Sequence, residues 1–350
     1  MQKKIVVIWL LFSMLFLAGL LIFCSNFPDL VESVYTRGFY AFIAGMLSPI
    51  LAKLPFSLSE ISLYAAILFA LFWLERGIRR RRFRRTLLEL LAGVATILLW
   101  FYLAWGLNYL RPPLTEQLHL SKTKIDSLTL RENFLWSIDQ ANTAWHPVAP
   151  WNLSSLDEEI EKNYAAVVAD LNLPSIEGRW PPKFLLVPGV LDYTLTSGIF
   201  GPFFHEVHLN SHLLPLELPF VLAHEKAHGR GLARESEASF IALLVCWRSE
   251  NAALHYSAYF SLLGHFRARY HGFADADTLR RFIRPEIIDD IAAVWARYEK
   301  YQGPLAEFSH RSYDFYLRAN QVEGGVENYS DVVDLVIKWR ERPEKDFMQF

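Results

Sequence analysis

The amino-acid sequence predicts a multi-pass membrane anchor of about three transmembrane helices, followed by an α+β domain that is mainly helical and holds a small antiparallel sheet. Long apolar runs fill the first third of the 350 residues, helical patterns dominate the rest, and short alternating segments lie among them. A content of 52% apolar and 21% charged residues excludes a disordered chain. Two cysteines exclude a disulfide scaffold. A net charge of −2, with the arginines concentrated in one block, predicts no nucleic-acid partner.

The first apolar run, Ile5 to Cys24, is uncharged and has the roughly 20 residues that a helix needs to cross hydrocarbon. Lys3 and Lys4 precede it and no small-residue cleavage site follows it, which favours a spanning helix over a cleaved signal peptide. Residues 58–74 and 87–110 are apolar apart from one glutamate near the start of each run, so they predict two further spans.

The loop between the last two spans, residues 75–86, has seven arginines from Arg76 to Arg85. Because short arginine-rich loops stay in the cytoplasm, we expect this loop and the N-terminus on the cytoplasmic side of the cytoplasmic (inner) membrane. The chain after the third span is then extracytoplasmic. Pro112 and Pro113 cannot continue a helix, and they predict the boundary between the anchor, residues 1–110, and a second domain, residues 111–350.

The second domain combines helical patterns with a few short strands. Ser155, with Glu158 three residues later, has the spacing of a capping box and predicts a helix start. Short apolar runs predict strands at 183–188, 192–200 and 202–210, the last of which has a period-two alternation. Helices are predicted at 129–142, 156–171, 219–228, 234–250, 252–270, 285–300 and 329–340.

The sequence "HEKAH" places His224 and His228 four residues apart in a helical segment. Both imidazoles therefore project from one face of the helix, within reach of one zinc ion. In an H-E-x-x-H motif the glutamate, here Glu225, lies beside the metal and acts as a general base. We therefore identify His224 and His228 as candidate Zn²⁺ ligands and Glu225 as the candidate catalytic residue.

A third ligand is expected from the next helix, which carries Glu235 and Glu237. Two residues apart on a helix, these carboxylates cannot both face the metal. Glu235 shares its side of the helix with the small residues Ala238 and Ser239, which permit a close approach to the first helix. We therefore prefer Glu235 as the third ligand.

These residues carry a resemblance to known families. The run "HEKAH…ESEASF" resembles the H-E-x-x-H…E-x-E-A-(N/D) pattern of gluzincin metallopeptidases, which implies a zincin-like domain with Glu235 as the third zinc ligand. Together with "WGLNYLRPPL", "TSGIFGPF" and "YLRANQVEGGVENYSDVVDLV", it resembles an uncharacterised bacterial family of membrane proteins with a predicted zincin site, domain-of-unknown-function family 3810. Ser239 stands where the gluzincin pattern has Asn or Asp.

Other histidines and tyrosines leave alternatives open. His205, His208 and His212 form a second cluster that could hold a metal, although the strand pattern sends His205 and His208 to opposite faces. We expect their strand instead to border the cleft, with a peptide adding to it and one of these histidines steadying an oxyanion. Tyr193 and Tyr329 are further donors, more typical of a core or an interface.

The function expected from these features is zinc-dependent hydrolysis of peptide or amide bonds at the outer face of the cytoplasmic membrane. The expected partners are the lipid bilayer and a peptide or cell-envelope substrate. The alternative is a non-catalytic membrane protein in which the zinc is structural or sensory and the cleft binds an envelope partner. A transporter is disfavoured because the spans carry charges only near their ends.

Overall fold

The computed structural model describes residues 2–320, 322 and 331–342, so that Tyr329 and the first residues of the last predicted helix lie outside the described residues. The chain forms two compact units. The first comprises Met1–Arg111, Ile176–Trp180 and Gly201–Glu206. The second comprises Pro112–Ser175, Pro181–Phe200 and Val207–Phe350.

The first unit is helical. Its α-helices are α1 (Gln2–Asn26), α2 (Pro28–Leu30), α3 (Ala41–Leu51), α4 (Leu58–Arg79) and α5 (Phe83–Ala104), with a π-helical segment Val31–Tyr40 and a 3₁₀ turn Gly106–Leu110. Three of them, α1, α4 and α5, are long and apolar enough to cross a membrane. Their apolar side chains point outward, as Leu15 (73% exposed) and Leu68 (67% exposed) illustrate. An apolar exterior of this length matches the hydrocarbon core of a bilayer.

The arginine-rich segment is mostly helical, which corrects the predicted loop at 75–86. The helix α4 continues to Arg79 and α5 begins at Phe83, so only residues 80–82 form the turn. Gly77 permits this tight turn, because a Cβ atom there would lie 2.2 Å from the hydroxyl of Thr86. The two helices therefore meet closely at their arginine-rich ends.

The third apolar helix is shorter than predicted. It ends at Ala104 rather than near residue 110, because the chain tightens into the 3₁₀ turn. Gly106 lies against the ring of Phe101, where a Cβ atom would come within 2.6 Å. This local packing ends the helix eight residues before Pro112.

The second unit contains the remaining helices: α6 (Leu114–Gln117), α7 (Ser127–Ala144), α8 (Leu153–Asp170), α9 (Gly189–Tyr193), α10 (Leu218–Gly229), α11 (Glu235–Trp247), α12 (Ala252–Tyr270), α13 (Ala276–Arg280), α14 (Pro285–Glu299), α15 (Pro304–Ala319) and α16 (Asp331–Arg340). The predicted long helices are present within a few residues, and α15 was not predicted. The predicted cap at Ser155 is wrong. Asn152 caps α8 instead, because its side chain accepts hydrogen bonds from the amides of Ser154 and Ser155.

A three-stranded sheet has the order β1-β3-β2, with β1 Pro182–Lys183, β2 Gly198–Gly201 and β3 Glu206–Leu209. The predicted antiparallel sheet is corrected to a mixed one, because β1 and β3 run parallel, with Pro182 opposite Val207. A parallel pair needs a long connection rather than a hairpin, and residues 184–205 supply it. The strand β3 is central, so β2 lies at an edge.

The core of the second unit surrounds α11. All thirteen residues of this helix are buried, and α8, α10, α12 and α16 pack against it. A helix that is buried on every side is held rigidly by its neighbours. The polar side chains at the start of α11 are therefore fixed in position.

Candidate metal centre

The site is formed where α10 ends and α11 begins. Gly231 has a φ angle of 78°, the left-handed conformation that glycine adopts without steric cost, and it ends α10. The amide of Leu232 donates to the carbonyl of Ala227 at 3.1 Å, which closes the turn. The chain then re-enters a helix at Glu235, packed against α10.

Three predicted site residues are brought together there: His224, His228 and Glu235. The Nε2 atoms of the two histidines are 3.1 Å apart. Oε2 of Glu235 lies 3.0 Å from Nε2 of His224 and 3.5 Å from Nε2 of His228. Ligands bound to one tetrahedral zinc at 2.0–2.1 Å are ~3.3 Å from one another. The three atoms therefore already have the spacing of one face of a zinc coordination sphere.

The second ring nitrogens of both histidines have hydrogen-bond partners. Nδ1 of His228 lies 2.7 Å from the carbonyl oxygen of Leu232. That oxygen can only accept, so Nδ1 carries a proton, and Nε2, which faces Glu235, is the nitrogen left to bind a proton or a metal cation. Nδ1 of His224 lies 3.2 Å from Oγ of Ser239, which accepts in the same way when Nε2 is free to bind a cation.

Glu235 is also held by its second oxygen. The hydroxyl of Tyr313, on α15, donates to Oε1. Glu237, the alternative third ligand, has other partners: its Oε1 accepts from the amide of Leu114 at 2.8 Å and from Arg234 at 3.1 Å. Of the two glutamates, only Glu235 is brought to the histidines.

Glu225 is buried beside the histidines but is not a member of the three-residue cluster. Strand β2 packs against it: a Cβ atom on Gly198 would lie 2.7 Å from Cγ of Glu225, and the amide of Phe200 donates to its carboxylate. Burial raises the pKa of Glu225 above its ordinary value, although the two histidines act in the opposite direction. This carboxyl group is therefore positioned by an edge strand of the sheet.

The electrostatics of the cluster favour a cation. Burial lowers the pKa of His228, but the neighbouring Glu235 carboxylate outweighs burial and raises that pKa to about 9. Burial raises the pKa of Glu235, but His228 and the hydrogen bond from His224 outweigh burial and hold it well below its usual range. With Glu225 beside the cluster, two carboxyl groups and two imidazoles lie in one buried region.

Ion pairs between side chains hold the opposite face of α10 against α8. Lys226, within the motif, is fully buried. It pairs with Asp157 at 2.7 Å and with Glu161, both on α8. Arg230 also pairs with Glu161, and its guanidinium lies 4.0 Å from the ring centre of Tyr164. These contacts fix the rotation of α10, so that its two histidines face α11.

The other histidines of the predicted second cluster have separate partners. His205 stacks on Tyr40 within the first unit, with a ring distance of 5.5 Å. Nδ1 of His208 lies 3.3 Å from the carbonyl of Ile199, and His212 pairs with Asp192 at 2.6 Å. Among the described residues, these three do not form a metal-ligand group. The strand β3, which contains His208, is central, so the expected addition of a peptide to it is corrected: the edges of the sheet are β1 and β2.

Two residues at the site were not identified from the sequence. Tyr313 lies 78 positions after Glu235, and no local pattern links them. His265, on α12, is near His224, because the ring of Phe220 packs 6.2 Å from His224 and 6.5 Å from His265. Burial, together with His224, lowers the pKa of His265 to about 4, so this imidazole is neutral.

Comparisons with known proteins identify the family of the chain but no characterised relative. Comparisons with curated proteins and with solved structures give no match. The family model described as "Protein of unknown function (DUF3810)" matches residues 35–337, a range that includes His224, Glu225, His228 and Glu235. The match covers most of the 350 residues, and the chain therefore belongs to this family.

Proposed function

We propose that this chain is a membrane-anchored zinc-dependent hydrolase, a metallopeptidase in which His224, His228 and Glu235 hold the ion. The observation that carries the proposal is the set of distances among the three donor atoms, 3.0, 3.1 and 3.5 Å. Two nitrogens and one carboxylate oxygen are the donor set of catalytic zinc sites, which keep a fourth position open. The hydrogen bonds of Ser239 and Leu232 favour the tautomers that such a site needs.

The chemistry follows from the groups that converge on the site. A zinc ion bound there supplies Lewis acidity, which activates water and polarises a carbonyl oxygen. Glu225 accepts the proton of the attacking water on its carboxylate and delivers it to the leaving nitrogen. The contacts with Gly198 and Phe200 hold this carboxylate in place while the proton moves. The reaction that uses all these groups is hydrolysis of a peptide or amide bond.

The substrate class follows from the strand beside Glu225. The strand β2 lies at an edge of the sheet, and an extended peptide can add to such an edge through main-chain hydrogen bonds. A peptide bound there would pass directly over Glu225. With three apolar helices and arginines at the α4–α5 turn, the second unit is expected outside the cytoplasm. Membrane-proximal polypeptides and cell-envelope amides are the substrates accessible from that position.

The test compares zinc content and hydrolysis in the full-length protein purified in detergent micelles. We expect about one zinc per chain in the wild type and in Glu225→Gln, and its loss in His224→Ala. His310→Ala removes an exposed histidine from α15 and serves as the matched control, with zinc retained. Hydrolysis of an unbiased peptide library is expected in the wild type and the control, but not in Glu225→Gln.

Each alternative has its own result. Zinc in both the wild type and Glu225→Gln, without hydrolysis by either, would favour the non-catalytic alternative. In that alternative the zinc is structural or sensory and the cleft binds an envelope partner. Folded wild-type protein without zinc would overturn both readings.

A further inference from the structure

A cavity of about 390 Å³ lies between α12 and α14 in the second unit. This volume is in the ~300–1,000 Å³ range of small-molecule sites. Most of its wall is apolar, formed by Leu195, Phe260, Ile291, Val294 and Trp295. Gly264 also lines it and has open space around the position of a Cβ atom. The cavity therefore suits an alkyl chain.

One charged side chain, Arg267, lines the same cavity. Its Nε atom is buried and has no hydrogen-bond partner among the described residues. Burial, with the nearby charge of Arg280, lowers the pKa of Arg267. Arg267 is half-buried, so its cation is partly removed from water, and an incoming anion would give its guanidinium a charged partner.

The cavity adjoins the strand that packs on Glu225. Leu195, in its wall, lies three residues before Gly198. The hydroxyl of Tyr298, also in the wall, is hydrogen-bonded to the hydroxyl of Ser197 at 2.8 Å. On the other side, α12 carries His265 next to Gly264, and the ring of Phe220 links His265 to His224. Each wall of the cavity is therefore connected, through residues close to it along the chain, to the surroundings of the candidate metal centre.

We propose that this cavity binds an alkyl chain that carries one anionic group, with Arg267 pairing with the anion, and that it holds the acyl or apolar end of the substrate. The substrate role rests on the proposed hydrolase function, whereas binding itself does not. A carboxylate and a phosphate share the charge that Arg267 would recognise. The experiment therefore uses one ligand of each kind.

The test is equilibrium dialysis of labelled octanoate, octyl phosphate and octanol against full-length protein in neutral-lipid nanodiscs, with empty nanodiscs subtracted. We expect saturable binding of about one anionic ligand per chain, with octanol at least about tenfold weaker. Arg267→Gln should weaken binding of the anions by a similar factor. Gly264→Leu should abolish binding, because its side chain occupies the cavity without colliding with a neighbour.

Matched controls lie on the same helix. Ala268→Leu adds the same side chain one turn away at an exposed position, and Arg269→Gln removes a neighbouring charge, and both should bind as the wild type does. Preference for octanoate or for octyl phosphate would assign the anion as a carboxylate or a phosphate. Non-saturable uptake, equal in the wild type and Gly264→Leu, would overturn the proposal. Zinc content of the same samples reports separately on the metal centre, so that failure of one proposal is distinguished from failure of the other.

Discussion

Oγ of Ser239 lies 3.2 Å from Nδ1 of His224. The gluzincin pattern that this segment resembles has Asn or Asp at the position of Ser239. Ser239 on α11 and His224 on α10 are both buried, so the hydroxyl is held against the imidazole. Serine therefore occupies the place of a larger side chain while keeping an acceptor for the ring N–H.

Removal of this hydroxyl is expected to weaken zinc binding. Ser239→Ala leaves Nδ1 of His224 without its partner, and loss of such a partner lowers metal affinity about 10- to 100-fold. Ser239→Asn should restore an acceptor and most of the affinity. Chelator competition measures the dissociation constants, with Ser261→Ala on α12 as the control. Equal affinities in Ser239→Ala and the wild type would show that the hydroxyl does not orient His224.

Tyr313 is expected to position Glu235. Its hydroxyl donates to Oε1, which turns Oε2 toward the histidines. Tyr313→Phe removes only that donor, so zinc affinity should fall about tenfold or more without loss of the fold. The same chelator competition measures this change, and Tyr301→Phe is the matched control. If the phenylalanine variant bound zinc like the wild type, the orientation of Glu235 would come from its own helix alone.

The sequence predicted the parts of the candidate site whose positions depend on neighbouring residues in the chain. The four-residue spacing placed His224 and His228 on one face, and the short turn placed Glu235 opposite them. Tyr313 could not be predicted, because it reaches the site from a helix 78 positions away and only tertiary packing joins them. The parallel pairing of β1 and β3 was missed for a similar reason, because the sequence of a two-residue strand does not indicate whether its partner runs parallel or antiparallel.

Helix ends were predicted less well than helix positions. The apolar pattern continues past Ala104, yet close packing of Gly106 on Phe101 ends α5 there. Asn152 precedes the expected cap by three residues and captures the first free amides of α8. At both helix ends the residue pattern allows several terminal positions, and a contact of one or two atoms selects one of them.

Glycine is expected to be required at position 198, because the side chain of Glu225 leaves no room there for a Cβ atom. A Cβ atom there would lie 2.7 Å from Cγ and 2.8 Å from Oε1 of Glu225, so Gly198→Ala should destabilise the fold by about 1–3 kcal/mol through overpacking. In a Glu225→Ala background the same change should cost much less, because those two atoms are gone. Unfolding of the four proteins in detergent gives the coupling energy.

The control for this cycle is Gly189→Ala. There the nearest atom to a new Cβ would be 3.6 Å away, on the ring of Tyr193, which is an ordinary contact. It should change stability little in either background. Additive effects of Gly198→Ala and Glu225→Ala would contradict the close packing of β2 on Glu225.

Lys226 is expected to be a major source of stability. Its fully buried ammonium group pairs with Asp157 and Glu161 on α8. Lys226→Met preserves most of the volume but leaves two carboxylates without this partner, which should cost about 3–5 kcal/mol. Lys162→Met changes an exposed lysine on the same helix as those carboxylates and should be nearly neutral. Denaturant unfolding measures both, and equal stabilities would mean that the buried pairing contributes nothing net.

The same ion cluster predicts how stability depends on pH. Burial opposes ionisation of Glu161, but Arg230 and Lys226 outweigh it and lower its pKa below the ordinary value of 4.5. Because the folded pKa is the lower one, ionised Glu161 stabilises the fold fully above about pH 4.5 and loses this effect as the pH falls through the folded value. The difference in unfolding free energy between the wild type and Glu161→Gln should therefore be largest near neutral pH and narrow below about pH 4.5. Glu158→Gln, at an exposed position of α8, should show a small difference throughout. A wild-type advantage that stays constant down to about pH 3 would contradict the lowered pKa and, with it, the pairing of Glu161 with the two cations.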